Sequence, residues 1–187
     1  MEQGNHALQM TSRRLFFALW PDEDLRHAIG NLADAVPLPR GARVVRPDRL
    51  HLTVVFLGDF DPREPTMLAA IQSAAASVRA PCFELSLDHV GHFAGSRVGW
   101  IGPRTVPVAL TALHDALGTA LQSAGVPLKA STPFVPHVTI QRNVRTPVPE
   151  VNLSALPWKV SDFVLVQSAP GSPEPYRIVG TWPLATR

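Results

Sequence analysis

The chain has 187 residues, 45% of them hydrophobic and 17% charged, and it contains a single cysteine, Cys82. This apolar content argues against intrinsic disorder, and one cysteine cannot support a disulfide-stapled small scaffold. The chain has no run of about 20 continuous apolar residues, the length that a membrane-spanning helix needs. The opening MEQGNHALQMTSRR lacks the basic-then-apolar order of a signal peptide, so we expect a cytoplasmic protein.

The basic residues of the chain are unusual in kind rather than in number. The net charge is only +2, yet 15 of the 17 basic residues are arginine, whose planar guanidinium matches phosphate geometry. Four arginines recur at every third position: Arg40, Arg43, Arg46 and Arg49. A single arginine on a surface is ordinary and needs no ligand. The cluster is a weak indication of a phosphate-bearing partner.

Composition and periodicity predict a mixture of strands and helices. Residues 1–13 are polar and aperiodic and are expected to form a flexible tail before a single domain of residues 14–187. The predicted elements, in chain order, are a strand at 14–20, a helix at 22–35, a strand at 51–57 that ends in a turn at Gly58, a helix at 65–78, a strand at 82–89, a hairpin strand at 97–101, a helix at 106–124 and strands at 137–141, 163–167 and 176–182. Three proline-rich stretches are interpreted as loops: 133–136, 147–157 and 170–175. Without strict β-α-β alternation, this pattern favours an α+β fold.

One short pattern occurs twice, as His51-Leu52-Thr53 and as His137-Val138-Thr139. In a strand, residues i and i+2 point to the same face, so each histidine shares a face with its threonine. The residue between them points the other way, into a core. The two copies are expected to bring two imidazoles and two hydroxyls to one cleft.

This set of side chains suits phosphoryl chemistry without a metal. One imidazole can remove a proton from the attacking oxygen while the other protonates the leaving oxygen, and two hydroxyls can donate hydrogen bonds to the phosphate. The alternative is a pair of unrelated strand histidines, and a single His-x-Thr occurs easily by chance. The repetition in matching strand context favours function. His89 and His92 lack acidic or cysteine ligands at zinc-like spacing, so no metal site is predicted.

The two motifs and their flanks resemble a known family. HLTVVFLG at 51–58 together with PHVTIQR at 136–142 is similar to the signature of the 2H phosphoesterases, and most of all to the bacterial and archaeal RNA 2′,3′-cyclic phosphodiesterases, also called 2′-5′ RNA ligases. RLFFALWPDEDLR near the start and FVLVQSAPGSPEPYRIVGTWPL near the end resemble the flanking strands of that family. The resemblance therefore covers nearly the whole chain from residue 14.

The resemblance implies both a fold and a reaction. The fold is bilobed, with two antiparallel sheets and flanking helices related by a pseudo-twofold axis around a central cleft. His51 would give a proton to the departing ribose oxygen, His137 would activate water, and Thr53 and Thr139 would hold the phosphate. The product would be a 2′-phosphate, and the reverse chemistry would make a 2′-5′ bond without ATP. No cofactor is implied.

The resemblance also indicates two further substrate-binding residues. Phe134 lies where the family commonly carries an aromatic residue that can stack on a base, although it is equally well explained as a core residue. Arg142 ends the second motif and is expected to hold phosphate or the adjacent backbone; its alternative is a salt bridge at a strand end. Family members often have an arginine five residues before the second histidine, whereas this chain has Thr132.

Three functions remain open from the sequence. The first is an enzyme acting on RNA ends with a 2′,3′-cyclic phosphate, transfer RNA fragments among them. The second is a 2H esterase for a small cyclic nucleotide or an ADP-ribose cyclic phosphate. The third is an RNA-end binding module without catalysis, which would not require both histidines. A monomer without membrane contact is expected in each case.

Overall fold

The structure is a computed structural model that describes residues 13–61, 65–128, 133–169 and 176–186. In these ranges the elements are β1 (Arg13–Leu19), α1 (Glu23–Asp34), β2 (Arg43–Val44), a short 3-10 helix (Pro47–Arg49), β3 (Leu52–Phe60), α2 (Pro65–Ser77), β4 (Phe83–Leu87), β5 (His89–Phe93), β6 (Val98–Gly102), α3 (Val108–Ser123), β7 (Val138–Arg142), β8 (Leu156–Val160), β9 (Asp162–Ser168) and β10 (Tyr176–Pro183). None of the helices in these ranges is long and apolar enough to cross a bilayer.

The described strands form two antiparallel sheets, as expected for the α+β class. The larger has eight strands in the order β10-β9-β1-β3-β7-β6-β5, with β2 also beside β7, and the smaller pairs β4 with β8. Within the larger sheet, β3 and β7 are joined by one residue pair, Leu52 with Val138. The sheet therefore consists of two four-stranded halves, and each half presents one His-x-Thr strand at the junction.

The helices pack against one buried core. Asp22 caps α1 by accepting a hydrogen bond from the Leu25 amide at 2.8 Å, which explains where this helix begins. In α3 the leucines at helical spacing are all fully buried: Leu110, Leu113, Leu117 and Leu121. Residues of both sheets and all three helices share this core, which supports the single bilobed domain that we propose for residues 14–187. The predicted tail of residues 1–13 lies outside the described ranges except for Arg13, which begins β1.

Three predictions about strands are wrong. The predicted strand at 82–89 is divided between β4, which ends at Leu87, and β5, which begins at His89 and forms the hairpin with β6. The strand containing the first motif does not stop at Gly58, because β3 continues to Phe60 and Gly58 pairs with Leu15. Gly58 has a φ of 96° beside an irregularity in this pairing, so its conformational freedom serves a β-bulge rather than a turn. The stretch 147–157 is not loop throughout, since β8 begins at Leu156. Its Pro157 is tolerated because β8 has a strand on one side only.

A glycine in β6 allows the segment before the second motif to lie close to the sheet. A Cβ atom placed on Gly102 would be 2.5 Å from the carbonyl oxygen of Pro136, the residue before His137. A side chain at this position would therefore push the backbone that carries His137 away from β6.

Replacing Gly102 should thus destabilise the protein more than replacing a glycine in open space. We expect Gly102→Ala to lower the free energy of unfolding by about 1–3 kcal/mol through this overlap. The matched control is Gly118→Ala in α3, where an added Cβ has no neighbour within 4 Å; it should stabilise the protein by roughly 0.4–1 kcal/mol. Urea unfolding of both variants measures the difference, and equal changes would contradict the predicted overlap.

Candidate active site

The two His-x-Thr motifs meet where the halves of the large sheet join. His51 and His137 each lie one residue before a strand, β3 and β7 respectively. Leu52 and Val138, the residues between histidine and threonine, are 0% exposed and pair with each other across the junction. This is the alternation predicted from the sequence, with the apolar residue in the core and its two neighbours on the opposite face.

One cavity collects the side chains of both motifs. It has a volume of about 190 Å³, and His51, Thr53, His137 and Thr139 all line it. Arg142 lines the same cavity. The structure thus brings together five of the six side chains that the sequence selected.

A β-bulge follows each threonine and changes what lies beyond it. The pairing of β3 with β1 leaves out Val54, directly after Thr53, and the pairing of β7 with β6 leaves out Ile140, directly after Thr139. One extra residue reverses the in-and-out alternation of a strand. The third residue after each threonine therefore returns to the cavity face, which strict alternation would not allow.

Phe56 and Arg142 occupy these two third positions, and both line the cavity. Gln141, on the other hand, turns into the core, where it is 1% exposed. Its amide donates to the carbonyls of Val36 and Pro37, at 3.3 and 3.1 Å. Because of the bulge in β7, the Gln141 amide lies in the core while the next side chain, Arg142, lies in the cavity.

Both imidazoles are oriented by the same backbone contact. His51 Nδ1 is 2.8 Å from the Arg49 carbonyl oxygen, and His137 Nδ1 is 2.7 Å from the Val135 carbonyl oxygen. A carbonyl can only accept, so Nδ1 carries the hydrogen in each neutral ring. Nε2 is then the nitrogen that exchanges protons, in both histidines.

Aromatic rings enclose His51. Phe16 and Trp20 stack on it, with ring centroids 4.9 and 5.4 Å away and interplanar angles of 26° and 12°. Tyr176 meets it edge-on at 5.3 Å. This burial lowers the pKa of His51 to about 4; the Arg49 carbonyl opposes the shift, and the charges of Arg142 and His137 add to it.

His137 has fewer aromatic neighbours. Phe93 meets it edge-on at 4.9 Å, and Trp100 is tilted toward it at 6.0 Å. Burial also lowers the pKa of His137, and the hydrogen bond to the Val135 carbonyl opposes that change. Both imidazoles are therefore neutral at pH 7 in the unliganded protein.

Phe134 is the selected residue that the structure leaves away from the cavity lining. It stacks on His114, with centroids 4.2 Å apart and an interplanar angle of 14°, and it packs partly buried against the core. Its role in stacking on a base stays a prediction. Thr132 lies outside the described residues.

The cavity also contains residues that sequence reasoning did not select. Arg14, Ser168 and Tyr176 lie opposite one another in a row across β1, β9 and β10, and all three line the cavity. No local motif marks them, because only the register of three distant strands brings them together. Arg49 also lines the cavity, and membership of the arginine cluster was its only signal.

Elsewhere in the described structure, fewer side chains are placed where they could take part in a reaction. A larger cavity of about 620 Å³ lies beside the start of α1 and includes neither motif histidine, although it is bordered by Trp20, which stacks on His51. In the described ranges, no group of three or more histidine, cysteine, aspartate or glutamate side chains is arranged to hold a metal ion.

A large antiparallel sheet whose two halves bring their His-x-Thr strands together at one cavity, with a second, two-stranded antiparallel sheet, defines this protein as one with the 2H phosphoesterase fold. The profile of the 2′-5′ RNA ligase superfamily matches residues 21–171, so the chain belongs to that superfamily.

Known proteins of similar sequence and structure agree with this assignment. The RNA 2′,3′-cyclic phosphodiesterase of Escherichia coli (strain K12) is 33% identical over 161 residues, which cover 84% of this chain and 88% of that protein. The RNA 2′,3′-cyclic phosphodiesterase of Thermus thermophilus is 31% identical over 163 residues, covering 83% and 81%. The crystal structure of E. coli LigT complexed with NADP+ superposes with a TM-score of 0.80 at 30% identity, covering 93% of this chain and 98% of that one.

The lowered pKa of His51 makes the stability of the protein depend on pH. The pKa is about 6.5 in the unfolded chain and about 4 in the folded protein, so the unfolded chain binds more protons between these values. The free energy of unfolding should therefore fall as the pH drops from about 6.5 to about 4, with His51 contributing roughly 3 kcal/mol.

Urea unfolding at pH 7 and pH 4.5 tests this contribution. His51→Gln removes the buried imidazole and should weaken the pH dependence, whereas His27→Gln removes an imidazole that is 70% exposed and should not. The same pH dependence in the wild type and in His51→Gln would rule out the proposed linkage.

Proposed function

We propose that this protein hydrolyses RNA ends that carry a 2′,3′-cyclic phosphate to 2′-phosphate ends, without a metal ion, by paired histidine acid–base catalysis. The observation that carries the proposal is the cavity itself. It holds two imidazoles, each fixed through Nδ1 to a backbone carbonyl, together with the threonine hydroxyl that follows each of them.

The reaction assigns one proton transfer to each imidazole. Nε2 of His137 takes a proton from water as the water oxygen attacks phosphorus. The bond between phosphorus and the ribose O3′ breaks, and His51 gives O3′ a proton from Nε2. The product has a 2′-phosphate and a 3′-hydroxyl; His137 then holds a proton and His51 lacks one, and exchange with solvent restores both.

Threonine and arginine side chains complete the site for an anion. Thr53 and Thr139 would donate hydrogen bonds to the non-bridging oxygens, where negative charge grows in the transition state. Arg142 supplies positive charge in the same cavity. The Nε atom of Arg49 is buried there without a hydrogen-bond partner among the described residues. An unsatisfied buried donor in a cavity lined by cations favours an anionic ligand.

Membership of the superfamily, and relatives that are named phosphodiesterases, make the protein an enzyme rather than a binding module without catalysis. The relatives are named for RNA, and for this reason we favour an RNA end over a small cyclic nucleotide or an ADP-ribose cyclic phosphate. Transfer RNA fragments with cyclic phosphate ends are suitable substrates. Location in the cytoplasm and a monomeric state stay predictions of the sequence.

The low pKa of His51 is compatible with its role as a proton donor. In the unliganded protein the ring is neutral at pH 7, since burial lowers its pKa to about 4. A bound phosphodiester anion stabilises an imidazolium and so raises the pKa. The donor proton would then be acquired with the substrate. A 5′-hydroxyl in place of water would lead the same groups to form a 2′-5′ bond without ATP.

Removal of either histidine should abolish most of the activity. We expect His51→Ala and His137→Ala each to lower kcat by about 10²–10⁴-fold, the usual contribution of a general acid or base. The assay uses an oligonucleotide with a 2′,3′-cyclic phosphate end in the presence of EDTA, and it identifies the product by its phosphate position. His27→Ala, on the exposed face of α1, is the control and should retain wild-type activity.

Each part of the proposal can fail separately in this assay. Loss of wild-type activity in EDTA would refute the metal-independent mechanism. Full activity of either motif variant would refute the acid–base pair. A 3′-phosphate product would refute the direction of ring opening.

The pH profiles of kcat/KM and kcat should differ. The kcat/KM profile reports the pKa values of the free protein, where burial lowers both histidines, so its bell should be centred below pH 6.5. The kcat profile reports the complex, where the anion raises both pKa values, so its optimum should lie at higher pH. Coinciding optima in a steady-state pH series would show that substrate binding does not raise these pKa values.

A further inference from the structure

Two arginines lie side by side at the rim of the cavity. In the antiparallel pairing of β2 with β7, Arg43 is directly opposite Arg142. Residues opposite each other in such a pair project from the same face, with Cβ atoms about 4.5–5.5 Å apart. The two cationic side chains are therefore neighbours by virtue of the register alone.

The positions of two neighbouring residues independently indicate that Arg43 lies on the cavity face of the sheet. Its cross-strand partner Arg142 lines the cavity, and so does Val45, two residues further along its own segment. Arg43 itself is exposed and stands outside the cavity lining. It therefore extends the positive charge of Arg142 from the cavity onto the adjoining surface.

Like charges directly opposite each other destabilise a sheet unless an anion lies between them. Across the described ranges, no carboxylate forms an ion pair with Arg43 or Arg142. Nearby arginines differ in this respect: Arg46 binds both oxygens of Asp48, at 3.1 and 3.0 Å. The unpaired couple at the rim therefore has the character of a phosphate-binding site.

The size of the cavity indicates which phosphate this is. Pockets that enclose drug-sized ligands usually measure about 300–1,000 Å³, whereas this cavity measures about 190 Å³. It suits a terminal ribose with its cyclic phosphate and leaves the remaining chain outside. Since the cyclic phosphate occupies the 3′ end, the chain can leave the cavity only through its 5′ side.

We propose that Arg43 and Arg142 together bind the phosphodiester that joins the terminal nucleotide to its 5′ neighbour. This site makes the protein prefer an oligonucleotide end to a cyclic mononucleotide. The inference rests on the proposed function, because it assumes that the scissile phosphate lies between the two histidines. It adds a second phosphate subsite and assigns it to a residue, Arg43, that lies outside the catalytic cavity.

The test compares two dinucleotides that end in a 2′,3′-cyclic phosphate. One has a normal phosphodiester, and the other has an uncharged methylphosphonate in its place. For the wild type we expect the neutral linkage to lower kcat/KM about tenfold. In Arg43→Ala the normal dinucleotide should lose part of this factor, and the neutral linkage should then cost less than it does in the wild type, because Arg142 alone still contacts the phosphodiester.

Arg46→Ala is the matched control. It removes the same charge from the same segment, but from a guanidinium already held by Asp48. This variant should discriminate between the two dinucleotides as the wild type does.

For the wild type, log(kcat/KM) should fall more steeply with log[salt] than for Arg43→Ala, by about 0.7, the increment for one phosphate contact on a single strand.

Binding separates failure of this inference from failure of the proposed function. Affinities are measured for the same two dinucleotides ending in a 2′-phosphate, which need no catalysis. A wild type that turns over neither cyclic substrate but binds the product with the charged linkage more tightly, with this preference reduced in Arg43→Ala, would refute the proposed reaction and retain the subsite. Equal affinity for both linkages, or additive losses in Arg43→Ala, would overturn the subsite.

Discussion

The pairing of Leu52 with Val138 is the contact on which the arrangement of the site depends. It is the one residue pair that joins β3 to β7, and both side chains are fully buried. Each of these residues stands between a histidine and a threonine. Fixing the two apolar side chains in the core therefore directs four polar side chains to the other face.

Around this junction the two halves share a backbone pattern but differ in their surroundings. Each histidine donates from Nδ1 to the carbonyl two residues earlier, and each threonine is followed by a bulge. His51 is nevertheless stacked between Phe16 and Trp20, while His137 meets ring edges. The backbone orients both imidazoles in the same way, and burial lowers the pKa of each, to about 4 for His51.

Local patterns predicted the fold class, the three helices and the face shared by each histidine with its threonine, because these depend on residues close in sequence. The bulges after Thr53 and Thr139 were not predictable, since they arise from pairing with β1 and β6. Strict alternation would turn Arg142 away from the cavity, and only the bulge returns it. The row of Arg14, Ser168 and Tyr176 was missed for the same reason, since its members are separated by most of the chain.

The bulges have a consequence for how such a site can change. Each half offers one position, occupied by Phe56 or Arg142, that reaches the cavity without belonging to a His-x-Thr motif. A substitution there alters what surrounds the substrate while the histidine, the threonine and the buried residue between them stay in place. The two positions are therefore free to differ, and here one carries an aromatic ring and the other a cation. Because each half has such a position, the groups around the substrate can change by substitution while both His-x-Thr motifs stay unchanged.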